Sequence, residues 1–166
     1  MLHHVSFSVA RPERVATALS RMTGARPLRA PSPPFPAGSW FVLFGDDRGS
    51  FIELTPWGVV CDPDGPGGRG EDPDMRPHSA SHVLLGSVHP PAVIQAIAAD
   101  AGWRCARIDA GLFRFTSVWI DGALLVELLS PEDLADYAAS LGRRGLEALD
   151  GKLRSLERAL SSADSA

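Results

Sequence analysis

Two histidines and two glutamates stand at related places in the sequence and could together bind a metal ion. His4 and His82 each begin a strand-like segment, and Glu53 and Glu127 each lie between apolar neighbours. An isolated carboxylate among apolar residues is costly to bury, so its presence in both places predicts a compensating partner. Two imidazoles and two carboxylates suit a divalent cation such as Zn, Ni, Co, Fe or Mn. Four protein ligands leave coordination positions open for water or a substrate.

These residues belong to an internal repeat, which appears when the chain is aligned with itself. The shift between the copies is 78 residues at first and 74 further along the chain. The matched pairs include His4 with His82, Gly24 with Gly102, Arg26 with Arg104, Phe41 with Phe115, and Glu53 with Glu127. The first copy has four extra residues, which fit the proline-rich stretch 30–36, a composition typical of a loop. The ordered series predicts two copies of one structural unit.

Each copy has the pattern of a strand, a helix and three further strands. The first copy predicts strands at 2–9, 25–29, 39–46 and 49–56 and a helix at 12–22, and the second predicts strands at 81–88, 103–108, 112–120 and 123–130 and a helix at 91–101. Asp121-Gly122 is a strong signal for a two-residue hairpin turn. Because side chains alternate across a strand, His4 and Ser6 share one face, and Glu53 points away from its apolar neighbours.

The repeat also defines the predicted domain organisation. Residues 1–57 form a first βαβββ module, 58–79 a linker rich in Pro, Gly and Asp, and 80–130 a second module. Residues 131–166 form a helical extension with a frayed tail. Ser130-Pro131 is typical of a helix start, and a second helix is predicted at 145–160 with leucines along one side.

The bulk properties exclude several classes of protein. The net charge of −4 argues against a general nucleic-acid binder, which needs a dense basic surface. No apolar run approaches the ~20 residues that span a bilayer, and the N-terminal segment lacks the features of a secretory signal. We therefore expect a cytoplasmic protein without membrane partners. Cys61 and Cys105 form no CxxC pattern, which argues against a thiolate zinc site.

Four motifs resemble the vicinal-oxygen-chelate superfamily, which includes glyoxalases, bleomycin-resistance proteins and dioxygenases. The segment 4–9 (HVSFSV) is similar to the first strand of these proteins, and 51–58 (FIELTPWG) resembles the segment around the first Glu ligand of glyoxalase I. Ser81-His82-Val83 resembles the second histidine strand, and 121–128 resembles the terminal hairpin with the last Glu. The resemblance covers about residues 2–131. It implies an α+β fold of two tandem βαβββ modules that form a curved, open mixed sheet, followed here by C-terminal helices.

The resemblance also implies a function. In this superfamily a divalent metal chelates two vicinal oxygens of a small substrate, acts as a Lewis acid and stabilises an enolate-like charge. It implies His4, Glu53, His82 and Glu127 as ligands, with Glu127 or Glu53 as the catalytic base. The modules of such proteins often pair across a homodimer, so the site could lie within one chain or between two. Glutathione-dependent relatives carry a basic residue near the end of the first strand, which Ser6-Phe7-Ser8-Val9 lacks, and this argues against a glutathione substrate.

Three functions remain open from the sequence. A metal-dependent lyase or isomerase of glyoxalase type is favoured by the complete set of two His and two Glu. An iron-dependent, ring-cleaving type of dioxygenase needs only two His and one carboxylate. A non-catalytic protein that sequesters drugs or other small molecules would commonly lack the ligands.

Overall fold

The first half of the chain folds as one βαβββ module. The computed structural model describes residues 3–65, 69–74 and 81–163, with side chains described as far as residue 159. The elements of the first module are β1 His4–Val9, α1 Pro12–Thr23, β2 Arg26–Arg29, β3 Trp40–Leu43 and β4 Phe51–Pro56. Helix α1 begins with a proline at its first position and ends at Gly24, whose φ of 78° is left-handed.

A short hairpin follows within the predicted linker. Strand β5 Val59–Cys61 pairs with β6 Arg69–Glu71 in an antiparallel ladder. Residues 66–68 and 75–80 of this stretch lie outside the described residues. The sequence did not lead us to expect these strands, because each has three residues and the surrounding Pro, Gly and Asp are typical of loops.

The second half repeats the module and adds two helices. Its elements are β7 His82–Gly86, α2 Pro91–Asp100, β8 Arg104–Asp109, β9 Arg114–Ile120, β10 Leu124–Leu129, α3 Pro131–Leu141 and α4 Arg143–Ala163. Helix α3 starts with a capping box, in which the Ser130 hydroxyl accepts from the Asp133 amide and the Asp133 carboxylate accepts from the Ser130 amide. None of the described helices combines the length and the apolar character needed to cross a bilayer.

The two modules have the same sheet topology. The strand orders are β1-β4-β3-β2 and β7-β10-β9-β8. In each sheet the first strand of the module pairs parallel with the last, and the other neighbours are antiparallel. The predicted fold class of two tandem βαβββ modules with open mixed sheets and C-terminal helices is confirmed.

The strand register corrects one part of the sequence alignment. Phe41 lies opposite Glu53, whereas Ser117 lies opposite Glu127, so Ser117 and not Phe115 is the structural counterpart of Phe41. The shift between β3 and β9 is thus 76 residues. Only two of the four extra residues therefore lie in the proline-rich stretch, and the other two lengthen the β3–β4 turn. Moving by two residues keeps a side chain on the same face, so the alternation of apolar residues could not reveal this error.

The two helices of the modules pack against each other between the sheets. One cluster of buried residues unites α1, α2 and the inner face of each sheet, and it includes Leu19, Met22, Ile94, Ile97, Val42, Ile52, Val118 and Val126. Across the modules, Arg14 donates to the carbonyl of Ala101, and Arg21 lies 3.4 Å from Asp100. Because each sheet covers the helical layer with one face, its other face, here called the outer face, points away from the shared core.

Candidate functional site

The first histidine and glutamate are diagonal neighbours on the outer face of the first sheet. In the parallel ladder of β1 and β4, His4 lies opposite Phe51, and Ser6 lies opposite Glu53. The exposed His4 ring stacks on Phe51 with ring centres 4.8 Å apart and an angle of 3° between the planes. This stacking fixes one face of the imidazole against an apolar ring, while the opposite face of the imidazole points away from Phe51.

Glu53 is buried and is held by two polar neighbours. Only 1% of it is exposed, although it carries a carboxylate. The Ser6 hydroxyl donates to its Oε2 at 2.7 Å, and Nη1 of Arg69 lies 3.6 Å from its Oε1. Oε1 itself has no hydrogen-bond partner among the residues that the structure describes. A buried carboxylate requires such compensation, and Arg69 is brought to it by the β5–β6 hairpin.

The second histidine and glutamate have the same diagonal arrangement on the second sheet. His82 lies opposite Leu125, and Glu127 lies opposite Leu84 in the parallel ladder. Nε2 of His82 is 3.9 Å from Oε2 of Glu127. The imidazole is exposed and the carboxylate is partly buried. The two side chains therefore present a nitrogen and an oxygen 3.9 Å apart on the same face of the sheet.

The structure thus assembles the four candidates as two pairs, one on the outer face of each sheet. Among the described residues, no three His, Cys, Asp or Glu side chains come together as a group that could hold a metal. The two pairs lie on different sheets, whose inner faces contribute to one common core, and they do not form a single group among the described residues of one chain. Each pair still offers one imidazole and one carboxylate, and the unbonded Oε1 of Glu53 is an oxygen with coordination capacity left. The donor chemistry therefore fits a divalent cation only if the two pairs come from different chains.

The structure adds residues that the sequence did not single out. Arg69 is the most important of them, because its positive charge lies beside the buried carboxylate of Glu53. No pattern in the sequence could have identified it, since it lies in a stretch with the composition of a linker. The alternation along β1 predicts that Ser6 shares a face with His4, but the hydrogen bond from Ser6 to Glu53 depends on the pairing of β1 with β4.

An open cleft between the modules lies away from the four candidates. Its volume is about 200 Å³, and its walls include Ser8, Trp57, Asp121 and Leu124. None of the residues that line it is a candidate ligand. This cleft therefore does not contain either His–Glu pair.

Comparison with known proteins supports the fold. No protein-family model matches the chain, and no curated protein matches it either. Among solved structures, the fosfomycin resistance protein FosX from Listeria monocytogenes is 13% identical, with 78% of this chain and 92% of that chain covered and a TM-score of 0.51. FosX from Mesorhizobium loti is 17% identical over 77% of this chain and 88% of that chain, with a TM-score of 0.48. A Listeria FosX structure with Mn(II) and sulfate is 14% identical over 77% and 86%, with a TM-score of 0.49. The chain therefore shares its fold with FosX, as the resemblance to the vicinal-oxygen-chelate superfamily implied.

Proposed function

We propose that this chain, which has the fold of the vicinal-oxygen-chelate superfamily, is a metal-dependent enzyme of glyoxalase type. Its substrate would be a small molecule with two neighbouring oxygens, and the chemistry would be that of a lyase or isomerase. The ligands would be His4, Glu53, His82 and Glu127, and a divalent cation bound there would supply Lewis acidity toward the substrate oxygens. The observation that carries this proposal is the matching diagonal His–Glu pair on the outer face of each sheet.

The position of the pairs favours a site shared between two copies of the chain. Each copy presents His4 and Glu53 on one outer face and His82 and Glu127 on the other. A two-fold symmetric homodimer that places the first outer face of one copy against the second outer face of the other would form two equal sites. Pairing modules in this way would also cover both faces from solvent, as a site that excludes water requires.

The surroundings of the two carboxylates suit them to different tasks. Glu53 is held by Ser6 and Arg69 beneath the surface, so we assign it a fixed ligand role. Glu127 is partly exposed and is close to the imidazole of His82. It is better placed to accept a proton from a substrate, because a general base must reach the substrate directly or through one water molecule.

Metal analysis of the protein purified without an affinity tag tests the ligand set. We expect about one divalent ion per chain, since a two-fold dimer has as many sites as chains. Glu53→Gln and Glu127→Gln should each lower the metal content strongly, whereas the exposed Glu13→Gln on α1 serves as the matched control and should leave it unchanged. An unchanged metal content in both site variants would remove the carboxylates from the proposal.

Mixing the two site variants tests whether the site spans two copies. In a dimer of one Glu53→Gln chain and one Glu127→Gln chain, one site carries both substitutions and the other carries none. Random exchange of subunits should therefore restore about one quarter of the wild-type metal content. A site within one chain would show no restoration. Activity can be followed with thiol–methylglyoxal adducts and with fosfomycin, which the FosX comparison adds to the panel.

A second candidate is a small-molecule-binding protein without a metal. It is favoured by the Arg69–Glu53 contact, because a carboxylate that already has a cationic neighbour does not require a metal for compensation. This candidate predicts a metal-free protein that binds its ligand equally well in the presence of a chelator. Metal analysis of the wild-type protein separates the two candidates.

A further inference from the structure

The last helix carries a row of exposed leucines. Helix α4 has 21 residues and packs mainly against α3. Every residue from 150 to 159 is exposed, whether it is apolar or polar. Leu146, Leu153 and Leu156 are 48%, 51% and 61% exposed. Together with the half-buried Leu149, these residues are called the leucine stripe here. A helix with one apolar side normally buries that side against a partner.

The spacing of the leucine stripe indicates the kind of partner. The leucines follow each other at intervals of three, four and three residues, and in the sequence Leu160 continues with an interval of four. This is the heptad repeat of a coiled coil, in which alternating core positions face a second helix. A helix that packs on the side of a globular domain typically has a broader apolar side, with three to four apolar residues in every two turns. The narrow stripe therefore fits another helix of the same kind.

We propose that α4 associates with α4 of a second copy of this chain as a parallel two-stranded coiled coil. We place Leu146 and Leu153 at the first core position of the repeat and Leu149 and Leu156 at the second. Lys152 then directly precedes Leu153, and Glu157 directly follows Leu156. In a parallel pair these flanking positions face each other between chains, so Lys152 of each copy meets Glu157 of the other. Two attractive pairs form by symmetry.

The charges disfavour the antiparallel alternative. In that arrangement the positions that follow the second core leucine face each other, which brings the acidic Asp150 and Glu157 of different chains together. The parallel arrangement instead places the oppositely charged Lys152 and Glu157 of different chains opposite each other. The proposal uses no candidate metal ligand and holds whether or not the chain binds a metal.

Sedimentation velocity of the full chain over a range of concentrations tests the self-association. Leu153→Glu/Leu156→Glu should raise the dissociation constant at least tenfold or remove one step of assembly. The matched control is Ala148→Glu/Ser155→Glu, which adds the same charge on another side of α4 and should behave as the wild type. Circular dichroism establishes that both variants remain folded. A wild-type chain that stays monomeric at a concentration of about 100 µM would refute the proposal. Equal assembly of the two variants would refute it as well.

Charge exchange tests the orientation. Lys152→Glu should weaken association several-fold, because it places two acidic residues opposite each other. Lys152→Glu/Glu157→Lys should restore it, since the attractive pairs are re-formed with the charges exchanged. A double variant that assembles as weakly as Lys152→Glu would refute the parallel arrangement. The metal content should be the same in all these variants, which separates this interface from the proposed metal site.

Discussion

Arg107 and Asp133 form an ion pair that attaches the C-terminal helices to the second sheet. The guanidinium of Arg107 in β8 donates two hydrogen bonds to the carboxylate of Asp133 in the first turn of α3, and that from Nη1 to Oδ2 measures 2.7 Å. The side chain of Asp133 is 1% exposed and that of Arg107 is 30% exposed. Asp133 also accepts from the hydroxyl and the amide of Ser130. We predict that Arg107→Met strongly destabilises the fold.

The expected loss of unfolding free energy depends on the hydrogen bonds that remain to the Asp133 carboxylate in the variant. Removing one partner of a fully buried pair costs roughly 3–5 kcal/mol. Arg107 is partly open to solvent and Ser130 still donates to Asp133, so we expect about 2–3 kcal/mol. For a chain of this length each kcal/mol lowers the melting temperature by roughly 2–4 °C. The variant should therefore melt about 5–10 °C below the wild type.

The effect should depend on pH in a defined direction. Burial alone would raise the pKa of Asp133, but the hydrogen bonds from Arg107 and Ser130 outweigh it and hold the pKa below its usual value. Because the pKa is lower in the folded state, the pair contributes fully above the unfolded pKa of about 4 and loses its contribution as the pH falls through the folded pKa. The difference between wild type and Arg107→Met should be constant from about pH 5 to 8 and shrink below about pH 4.

A second Arg–Asp pair provides the matched control. Arg114 of β9 and Asp136 of α3 join the same sheet to the same helix, but their closest atoms are 3.8 Å apart and both side chains are exposed. Such a pair contributes about 0–1 kcal/mol. Double-mutant cycles by urea denaturation, with Arg→Met and Asp→Asn at each pair, measure both coupling energies. The reasoning is refuted if the Arg107–Asp133 coupling is no larger than that of Arg114–Asp136.

Three further predictions concern other parts of the molecule. Gly122→Ala should lower the unfolding free energy in urea by about 1–2 kcal/mol, because φ at this turn residue is 73°; an unchanged midpoint would contradict it. Arg69→Met should destabilise the chelator-treated protein by about 1–2 kcal/mol, because the buried Glu53 loses its cationic neighbour. Equal urea midpoints for the variant and the wild type would show that Arg69 does not stabilise the buried carboxylate. Cys61 is exposed, whereas burial raises the pKa of the Cys105 thiol. A thiol reagent at pH 8 should therefore modify Cys61 before Cys105. Equal rates of modification at the two cysteines would contradict this prediction.

The sequence alone determined the repeated elements and the side of each strand on which its residues lie. The alternation along β1 placed His4 and Ser6 on one face, and Asp121-Gly122 specified a turn in which both residues have positive φ, 49° and 73°. Pro131 and its neighbours specified the start of α3. These features depend on neighbouring residues within a few positions of each other, so the chain carries the information for them locally.

Only the tertiary structure decided where the His–Glu pairs lie relative to each other. Packing of α1 against α2 buries apolar area between the modules and leaves the two His–Glu pairs on separate sheets, which no periodicity of a single strand can express. The same holds for the register of β9 and for Arg69, which lies in a hairpin of loop-like composition and comes within 3.6 Å of Glu53. Long-range contacts of this kind are set by the total area buried and the charges that must be paired, and those quantities exist only when the whole chain is folded.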